Sequence, residues 1–279
     1  MINFNGTIVS QDANILTQNR AFLYGDAVFE TLKILNSKIL FLEDHYFRLM
    51  SSMRILRMEI PMNFTMEYFE NEILQLAKIN NCSYAARVRI TVFRNDGGYY
   101  LPLSNQISYL ITIVPLANTA YKFEHQDYEV ELYKDFFIAK QLLSTLKSTN
   151  KIINIVGSIY AKENGYDNCL LLNDNKNVVE ALQGNIFMIK DGILSTPPIS
   201  DGCLNGIMRK QILNIAKKID SIEVVENSIS PFDLQKADEL FITNVIKGIQ
   251  PITKYRKKDY SNKIANLLLE KLNEQIKNI

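Results

Sequence analysis

The feature that most constrains this chain is the stretch from Leu143 to Arg209, which holds three reactive groups in unusual settings. A lysine, Lys147, lies among serines, threonines and an asparagine, and a glutamate, Glu180, follows two valines in an apolar run. A turn at Gly206 then precedes a predicted amphipathic helix, and backbone N–H groups at such a helix start bind anions readily. The stretch therefore combines a nucleophilic amine, an acid in apolar surroundings and a potential anion site.

The composition is that of a globular protein and excludes several classes of function. The chain has 279 residues, a length typical of two domains, with 47% hydrophobic and 22% charged residues. Lysine plus arginine number 31 against 30 for aspartate plus glutamate, and the net charge of +1 gives no footprint for nucleic acid or a membrane surface. The three scattered cysteines predict neither disulfides nor a metal site. We expect no signal peptide and no membrane span, and hence a cytoplasmic protein.

The order of predicted helices and strands indicates an α+β chain of two domains. Residues 1–115 are predicted to form a small α/β N-terminal domain, in which alternating apolar residues indicate strands at 86–93 and 107–114. An interdomain linker is predicted at 116–125. Residues 126–279 combine several short strands with helices and are predicted to form a larger, strand-rich C-terminal domain.

Local signals indicate where individual elements begin. Asn5-Gly6 is typical of a tight hairpin turn between two strands. Asp44 and Thr65 are predicted to cap the N-termini of two helices, because their side-chain oxygens can accept from the exposed N–H groups of a first turn.

Five motifs can be recognised together along the chain. They are Tyr24–Glu30 (YGDAVFE), His45–Leu49 (HYFRL), Leu146–Asn150 (LKSTN), Glu180 with the following Gly184–Phe187 (GNIF), and Asn205–Arg209 (NGIMR). In this order and spacing they resemble the class IV aminotransferases, the fold type IV pyridoxal phosphate enzymes. That family includes branched-chain aminotransferases, D-amino-acid aminotransferases and 4-amino-4-deoxychorismate lyases. The resemblance covers nearly the whole chain and implies a two-domain, D-amino-acid-aminotransferase-like fold with pyridoxal 5'-phosphate as cofactor.

The resemblance implies a role for each reactive residue. Lys147 would be the catalytic residue, since a neutral amine can bond to the cofactor's aldehyde and then move protons at the substrate carbon. Glu180 would keep the ring nitrogen of the cofactor protonated. Arg48 would bind the phosphate through the planar fork of its guanidinium, although it could equally be an ordinary helix-surface arginine. The other implied cofactor-binding residues are the backbone N–H groups of Gly206, Ile207 and Met208, and the turn residues Asn244 and Val245.

Substrate-binding residues are predicted on segments that line the pocket in relatives. Arg94 is the preferred partner for the substrate carboxylate, against the alternative of a structural salt bridge. The other predicted substrate-binding residues are Arg89, Tyr24, Phe29 and Ile246. Amino acids and 2-oxo acids are the implied substrates, and the implied assembly is a homodimer with shared active sites.

Two departures from the family pattern keep alternatives open. Val245 stands where many relatives have a hydroxyl residue, and Ile152 stands where many transaminases have a tyrosine. The basic residue Lys151 and the Asn205–Arg209 motif resemble the lyase branch, whereas Val28-Phe29-Glu30 resembles the branched-chain and D-amino-acid transaminases. We predict a transaminase for small amino acids of the branched-chain or D-amino-acid type. The alternatives are an aminodeoxychorismate lyase, which releases pyruvate and 4-aminobenzoate, and a non-catalytic protein that binds the cofactor.

Overall fold

The computed structural model describes residues 1–10, 18–117, 120–123 and 127–277, which form two compact units. The first unit takes its described residues from Met1–Ala120 and Lys147–Asn150, and the second from Tyr121–Leu146 and Lys151–Ile279. The predicted linker at 116–125 lies partly outside the described residues, so the domain boundaries drawn from the sequence stay predictions. The sequence did not predict that the short segment containing Lys147 groups with the first unit.

The first unit is a sheet covered by helices. Its elements, in chain order, are β1 (Ile2–Phe4), β2 (Thr7–Val9), α1 (Arg20–Tyr24), β3 (Ala27–Leu35), β4 (Lys38–Ile39), α2 (Leu42–Ile55), α3 (Met66–Ile79), β5 (Ala85–Arg94) and β6 (Ile107–Pro115). Among the described residues the strand order is β2-β1-β6-β5-β3-β4, with antiparallel pairing between neighbours. The predicted strands at 86–93 and 107–114 are confirmed with one or two more residues each.

The core of the first unit lies on one face of this sheet. The core residues of the two central strands are Val28, Leu32, Ile34, Val88, Ile90 and Val92, and they pack with apolar residues of α2 and α3. Because side chains alternate between the two faces of a strand, Glu30 lies on the same face as Val28 and Leu32. A carboxylate is thereby directed from the middle of β3 toward the helices.

The second unit is richer in strands, as the sequence predicted. Its elements, in chain order, are β7 (Glu129–Ile138), α4 (Ile152–Glu163), β8 (Asn168–Asn173), β9 (Val178–Ala181), β10 (Asn185–Lys190), β11 (Ile193–Thr196), α5 (Ile207–Ala216), β12 (Glu223–Glu226), α6 (Pro231–Leu234), β13 (Glu239–Asn244), β14 (Gly248–Ile252), β15 (Lys254–Tyr255), β16 (Lys258–Asp259) and α7 (Lys263–Lys277).

Two five-stranded sheets account for the strands described in the second unit. Their orders are β12-β11-β10-β13-β14 and β16-β15-β7-β8-β9. Buried residues of β7 and β8 share one core with those of β10 and β13, so apolar side chains of the two sheets pack together. Other residues of β7, β8 and β9 form a second core with α4. Buried strands of this kind place the residues at their ends accurately.

Local signals in the sequence were mostly sound. Asn5 and Gly6 have φ of 50° and 83° and join β1 to β2, as the hairpin signature predicted. Thr65 accepts from the backbone N–H of Tyr68 and caps α3, which confirms the predicted cap. The cap predicted at Asp44 is wrong: pairing between strands continues to residue 40, so the chain turns at Phe41 and the helix already begins at Leu42.

Candidate active site

The segment around Lys147 is locked onto the first residues of β3. Phe29 N donates to Lys147 O at 2.8 Å and Thr149 N donates to Ala27 O at 3.0 Å, with an antiparallel bridge between Val28 and Ser148. This register puts the side chains of Lys147 and Phe29 on the same face of the sheet. The Lys147 amine accordingly lies 4.6 Å from the centroid of the Phe29 ring, so an aromatic face replaces part of its water.

Two of the sequence motifs interlock directly behind this lysine. Gly25 ends α1 in the left-handed region, with φ of 64°, and a Cβ there would lie 2.2 Å from Asn150 Oδ1. Thr149 Oγ1 and Asn150 Nδ2 both donate to the carbonyl of Gly25, at 3.1 and 3.3 Å. The small polar residues that follow Lys147 therefore fix its backbone, and the glycine is required because no side chain would fit.

Arg89, another predicted substrate residue, contacts the same aromatic ring as this amine. Its Cζ lies 3.7 Å from the centroid of the same Phe29 ring, and its Nε donates to Thr91 Oγ1 at 3.1 Å. Burial, followed by the charge of Arg87, lowers the pKa of the Arg89 guanidinium. In the first unit, the side chains of Lys147 and Arg89 therefore both contact the ring of Phe29.

Arg94 has a different setting from the predicted one. Its Nε donates to Asp26 at 3.0 Å, its Nη1 to Asn105 and to the carbonyl of Arg57, and its Nη2 to the carbonyl of Leu56. All three nitrogens are used within the fold and the residue is buried. Arg94 is therefore a structural residue of the first unit, which corrects our preference for it as the carboxylate partner.

Tyr24 lies at the end of α1, and its ring contacts one aromatic ring and one guanidinium. Its ring centroid lies 5.8 Å from that of Tyr100, and the guanidinium of Arg20 lies 5.0 Å above it. The structure therefore places Tyr24 against the loop that follows β5.

Arg48 lies on α2 and faces the carboxylate of Glu30. Arg48 Nε donates to Glu30 Oε1 at 2.7 Å and Arg48 Nη2 donates to Oε2 at 2.6 Å, which is a two-point ion pair. His45 Nδ1 lies 2.7 Å from the same Oε2. Sequence reasoning singled out Arg48 but missed Glu30 as its partner, since Glu30 lies 18 positions before Arg48 in the chain.

In the second unit, Glu180 is buried on β9, as its apolar neighbours predicted. Its Oε2 accepts from the backbone N–H of Leu204 at 2.9 Å, and the carbonyl of Leu204 accepts from Asn185 Nδ2 at 2.8 Å. These two bonds tie the buried acid to the turn that precedes α5.

The start of α5 has the form of an anion site. Gly206 is the N-cap, with no side-chain cap, and the helix begins with Ile207 and Met208. A Cβ on Gly206 would lie 2.0 Å from Asn185 Oδ1, so only glycine lets the turn approach this side chain. The first N–H groups of a helix lack partners within the helix, so this end of α5 can receive a phosphate. Asn205 N also donates to the carbonyl of Thr145, two residues before Lys147.

The turn between β13 and β14 is shaped by two residues. Asn244 Oδ1 accepts from the backbone N–H groups of Ile246 and Lys247, at 3.0 and 2.9 Å. Tyr121 Oη donates to the carbonyl of Val245 at 2.5 Å in a buried position. The sequence analysis assigned no role to Tyr121 or Asn185, although both shape these turns. Asn185 lies in the recognised Gly184–Phe187 motif, whereas nothing in the local sequence indicates Tyr121.

Among the described residues, no group of three or more histidine, cysteine, aspartate or glutamate side chains could hold a metal ion. Within the same ranges, no helix combines the length and the apolar character needed to cross a membrane.

Comparison with known proteins places the chain in a family. The amino-transferase class IV family model matches residues 27–255. A protein of Methanocaldococcus jannaschii with a provisional branched-chain-amino-acid aminotransferase name is 31% identical over 279 residues, covering 100% of this chain and 96% of its own length. The D-alanine aminotransferase of Listeria monocytogenes is 29% identical over 255 residues, with 89% and 85% coverage. The chain therefore belongs to the class IV aminotransferases and is a transaminase.

Solved structures confirm the predicted fold type IV architecture. The branched-chain aminotransferase of Thermoproteus uzoniensis with norvaline gives a TM-score of 0.87 at 24% identity, covering 99% of this chain and 93% of that one. A 4-amino-4-deoxychorismate lyase from Pseudomonas aeruginosa gives 0.85 at 23%, covering 99% of each. The fold is common to both kinds of enzyme and does not choose between them.

Proposed function

We propose that this transaminase uses pyridoxal 5'-phosphate, bound through Lys147, to move amino groups between a small amino acid and a 2-oxo acid. The observation that carries the proposal is the Lys147 amine over the Phe29 ring, with Arg89 against the same ring. The names of the relatives, one branched-chain and one D-alanine aminotransferase, support a small amino acid as substrate.

The residues present fit this cofactor. A buried carboxylate, Glu180, suits a ring nitrogen that must stay protonated, and the start of α5 at Gly206 suits a phosphate. When bound, pyridoxal phosphate supplies an aldehyde for the amino group and a ring that withdraws electrons from the substrate's α-carbon. Within the first unit, the guanidinium of Arg48 is a group that suits a phosphate.

Each residue then has a defined task. Lys147 would remove the proton from the substrate's α-carbon and return it to the former aldehyde carbon of the cofactor. The pairing of its backbone with β3 fixes where its amine can reach. A neutral amine is needed for both steps. The N–H of Leu204 fixes the orientation of the Glu180 carboxylate.

Arg89 is the better candidate for the substrate carboxylate. The Arg94 guanidinium is bound on all three nitrogens by Asp26, Asn105 and backbone carbonyls. Arg89, by contrast, makes one side-chain hydrogen bond to the part of the chain that the structure describes, to Thr91. Phe29 offers an apolar surface for a small side chain beside it. Leucine, valine or D-alanine would suit such a surface.

The proposal is tested by labelling and by amino transfer. Purified protein is reduced with borohydride, and the pyridoxyl label is expected on the peptide that contains Lys147. The same protein is assayed with leucine, valine or D-alanine and 2-oxoglutarate or pyruvate. Lys147→Ala should lose both the label and the activity, while the matched control Lys162→Ala, on the exposed face of α4, should keep both. A label on another lysine, or full activity in Lys147→Ala, would contradict the proposal.

One observation favours a second candidate, the aminodeoxychorismate lyase. The turn at Asn244-Val245 and the start of α4 at Ile152 both lack the hydroxyl groups common in transaminases of the family. The same amine could instead release pyruvate from the substrate. Appearance of 4-aminobenzoate from aminodeoxychorismate, without amino transfer from any amino acid tested, would decide for the lyase.

We also propose that the protein is a homodimer. The segment Tyr99–Leu103, here named the apolar arm, exposes Tyr99, Tyr100, Leu101 and Leu103 by 81–91%. Arg20 Nη1 donates to the carbonyls of Gly97 and Tyr99 and holds the start of the arm. A fixed apolar segment of this size is characteristic of an interface, and a second copy of the chain is the proposed partner.

A further inference from the structure

The proposed phosphate arginine, Arg48, belongs to a cluster of three side chains in the first unit. Glu30 comes from the middle of β3, and His45 and Arg48 come from one face of α2. Both oxygens of Glu30 are engaged: Oε1 accepts from Arg48 Nε, and Oε2 accepts from Arg48 Nη2 and lies 2.7 Å from His45 Nδ1. Glu30 and His45 are 2% and 1% exposed, so water does not compete for these bonds.

The chemistry of the cluster fixes which nitrogen of His45 carries a proton. Burial raises the pKa of Glu30, but the charge and hydrogen bonds of Arg48, with those of His45, outweigh it and hold the pKa at about 2. The carboxylate is therefore ionised and can only accept, so His45 Nδ1 must donate. Burial lowers the pKa of His45 more than Glu30 raises it, which favours the neutral ring.

The other ring nitrogen has no hydrogen-bond partner. His45 Nε2 is fully buried and, among the described residues, is one of four side-chain atoms in this situation. In the neutral ring it is a bare acceptor, and an unpaired buried acceptor is unfavourable. A leucine at this core position would avoid that cost. The reason for a histidine at this position is therefore the hydrogen bond between its Nδ1 and Glu30 Oε2.

What Nδ1 does is stop the carboxylate from rotating. A carboxylate held only by Arg48 could turn together with the guanidinium about the pair. The bond from His45 Nδ1 to Oε2 is a second attachment of Glu30 to α2, independent of Arg48. Because the His45 ring is fixed in the core, Glu30 is held still and in turn fixes the plane of the Arg48 guanidinium. Side chains that hold a ligand-binding group in this way often affect affinity without touching the ligand.

We infer that Glu30 and His45 are positioning residues that orient Arg48 toward the cofactor's phosphate. The inference rests on the proposed function, because it assumes that Arg48 binds this phosphate. His45 acts through Arg48 and makes no contact with the cofactor.

A double-mutant experiment tests the inference on the full-length protein. His45→Leu removes the donor, whereas His45→Asn keeps an N–H near the position of Nδ1. Both are made in the wild-type chain and in Arg48→Lys, and the dissociation constant of pyridoxal phosphate is measured by titration after removal of the cofactor. The unfolding temperature of each cofactor-free protein is recorded as the measure of a purely structural role.

The expected result has three parts. His45→Leu weakens cofactor binding by about tenfold to a hundredfold, in the range seen for supporting side chains of other ligand sites. His45→Asn restores binding close to that of the wild type. In the Arg48→Lys background His45→Leu weakens binding no further, because the residue through which it acts has been changed.

Several results would overturn the inference. They are unchanged affinity in His45→Leu, equal loss in His45→Leu and His45→Asn, and a full additional loss in the Arg48→Lys background. If His45→Leu does not fold, nitrogen-15 NMR of the wild type still decides, because a proton on Nε2 in place of Nδ1 contradicts the inference. Wild-type protein that binds no pyridoxal phosphate would refute the proposed function itself, whereas binding that ignores His45 would refute only this inference.

Discussion

A single residue, Glu30, makes the stability of the first unit depend on pH. Its pKa in the folded protein, about 2, lies below the ordinary value of 4.5 because Arg48 and His45 outweigh the effect of burial. The folded state therefore binds fewer protons than the unfolded state between these values. The stabilisation is complete above pH 4.5 and is lost as the pH falls toward 2.

Glu30→Gln removes this dependence and provides the measurement. A difference of two to three pKa units corresponds to about 3 kcal/mol. We expect the free energy of unfolding of the wild type to exceed that of Glu30→Gln at pH 6, and the gap to shrink by about that amount by pH 2.5. Urea unfolding at a series of pH values measures both proteins. A gap that stays constant with pH would show that Glu30 is not ionised in the folded protein.

Gly206 tests the proposed phosphate turn at the same scale. Its φ of −74° suits alanine, so Gly206→Ala introduces no backbone strain, but the new Cβ would lie 2.0 Å from Asn185 Oδ1. Asn185 must then release the carbonyl of Leu204, which is bound at 2.8 Å. We expect a loss of about 1 kcal/mol in cofactor binding, the value of one hydrogen bond.

The variant with which Gly206→Ala should be compared is Asn185→Ala. If Gly206→Ala acts by displacing Asn185, the single variant Asn185→Ala should reproduce the loss and the double variant should be no weaker than either. Fluorescence titration with pyridoxal phosphate measures all three. Additive losses would mean that the glycine itself, and not its neighbour, is what the phosphate requires.

At the scale of elements, the turn between β13 and β14 depends on a residue far away in the sequence. Tyr121 donates its hydroxyl to the carbonyl of Val245, and its ring packs against Gly248, where a Cβ would come within 2.8 Å. Burial raises the pKa of Tyr121, so the hydroxyl stays protonated and remains a donor. Tyr121→Phe keeps the ring and removes only this bond.

We expect Tyr121→Phe to lower the free energy of unfolding by about 1–2 kcal/mol, since the carbonyl of Val245 would lose a buried donor. The KM for the amino acid should rise more than kcat falls, because the turn is proposed to meet the substrate rather than to carry out chemistry. Urea unfolding and steady-state kinetics measure these quantities. An unchanged KM together with lower stability would limit Tyr121 to a structural role.

The elements show how far the sequence could be used for prediction. Alternation in β5 and the polar cap at Thr65 are local signals, and the structure confirms both. Arg94 shows where local signals end: Asp26, which binds its Nε, lies 68 residues away in the chain. Arg94 of β5 is used within the fold because it pairs with Asp26, and the periodicity of β5 contains no information about that ion pair. Tyr121 and Val245, 124 residues apart, present the same difficulty.

At the scale of the whole molecule, the segment that carries Lys147 has an uncommon place in the chain. Lys147–Asn150 groups with the first unit, whereas the residues immediately before and after it group with the second. The polar residues of this motif have a structural task. Thr149 and Asn150 donate hydrogen bonds to the carbonyl of Gly25 and so hold the segment against the first unit. The family resemblance gave the residue types, and the structure gives the reason for them.

The apolar arm leads to a prediction about assembly. Replacement of Tyr100 and Leu101 by aspartate should prevent dimerisation, because two charges would have to be buried without partners in the interface. The stability of each unit should change little, since these side chains are 91% and 84% exposed and contribute little to either core. Light scattering after gel filtration measures the mass in solution, and a fall from about twice 32.1 kDa to a single copy is expected.

A matched control is Met62→Asp, since Met62 is 97% exposed but lies outside the arm. It should leave the mass unchanged. If the active sites of a dimer are shared, the arm variant should also lose amino transfer while keeping its unfolding temperature, and Met62→Asp should keep both. Wild-type protein that is monomeric at micromolar concentration would contradict the proposed dimer. A monomeric arm variant with full activity would instead show that the dimer forms but that each active site is complete within one chain.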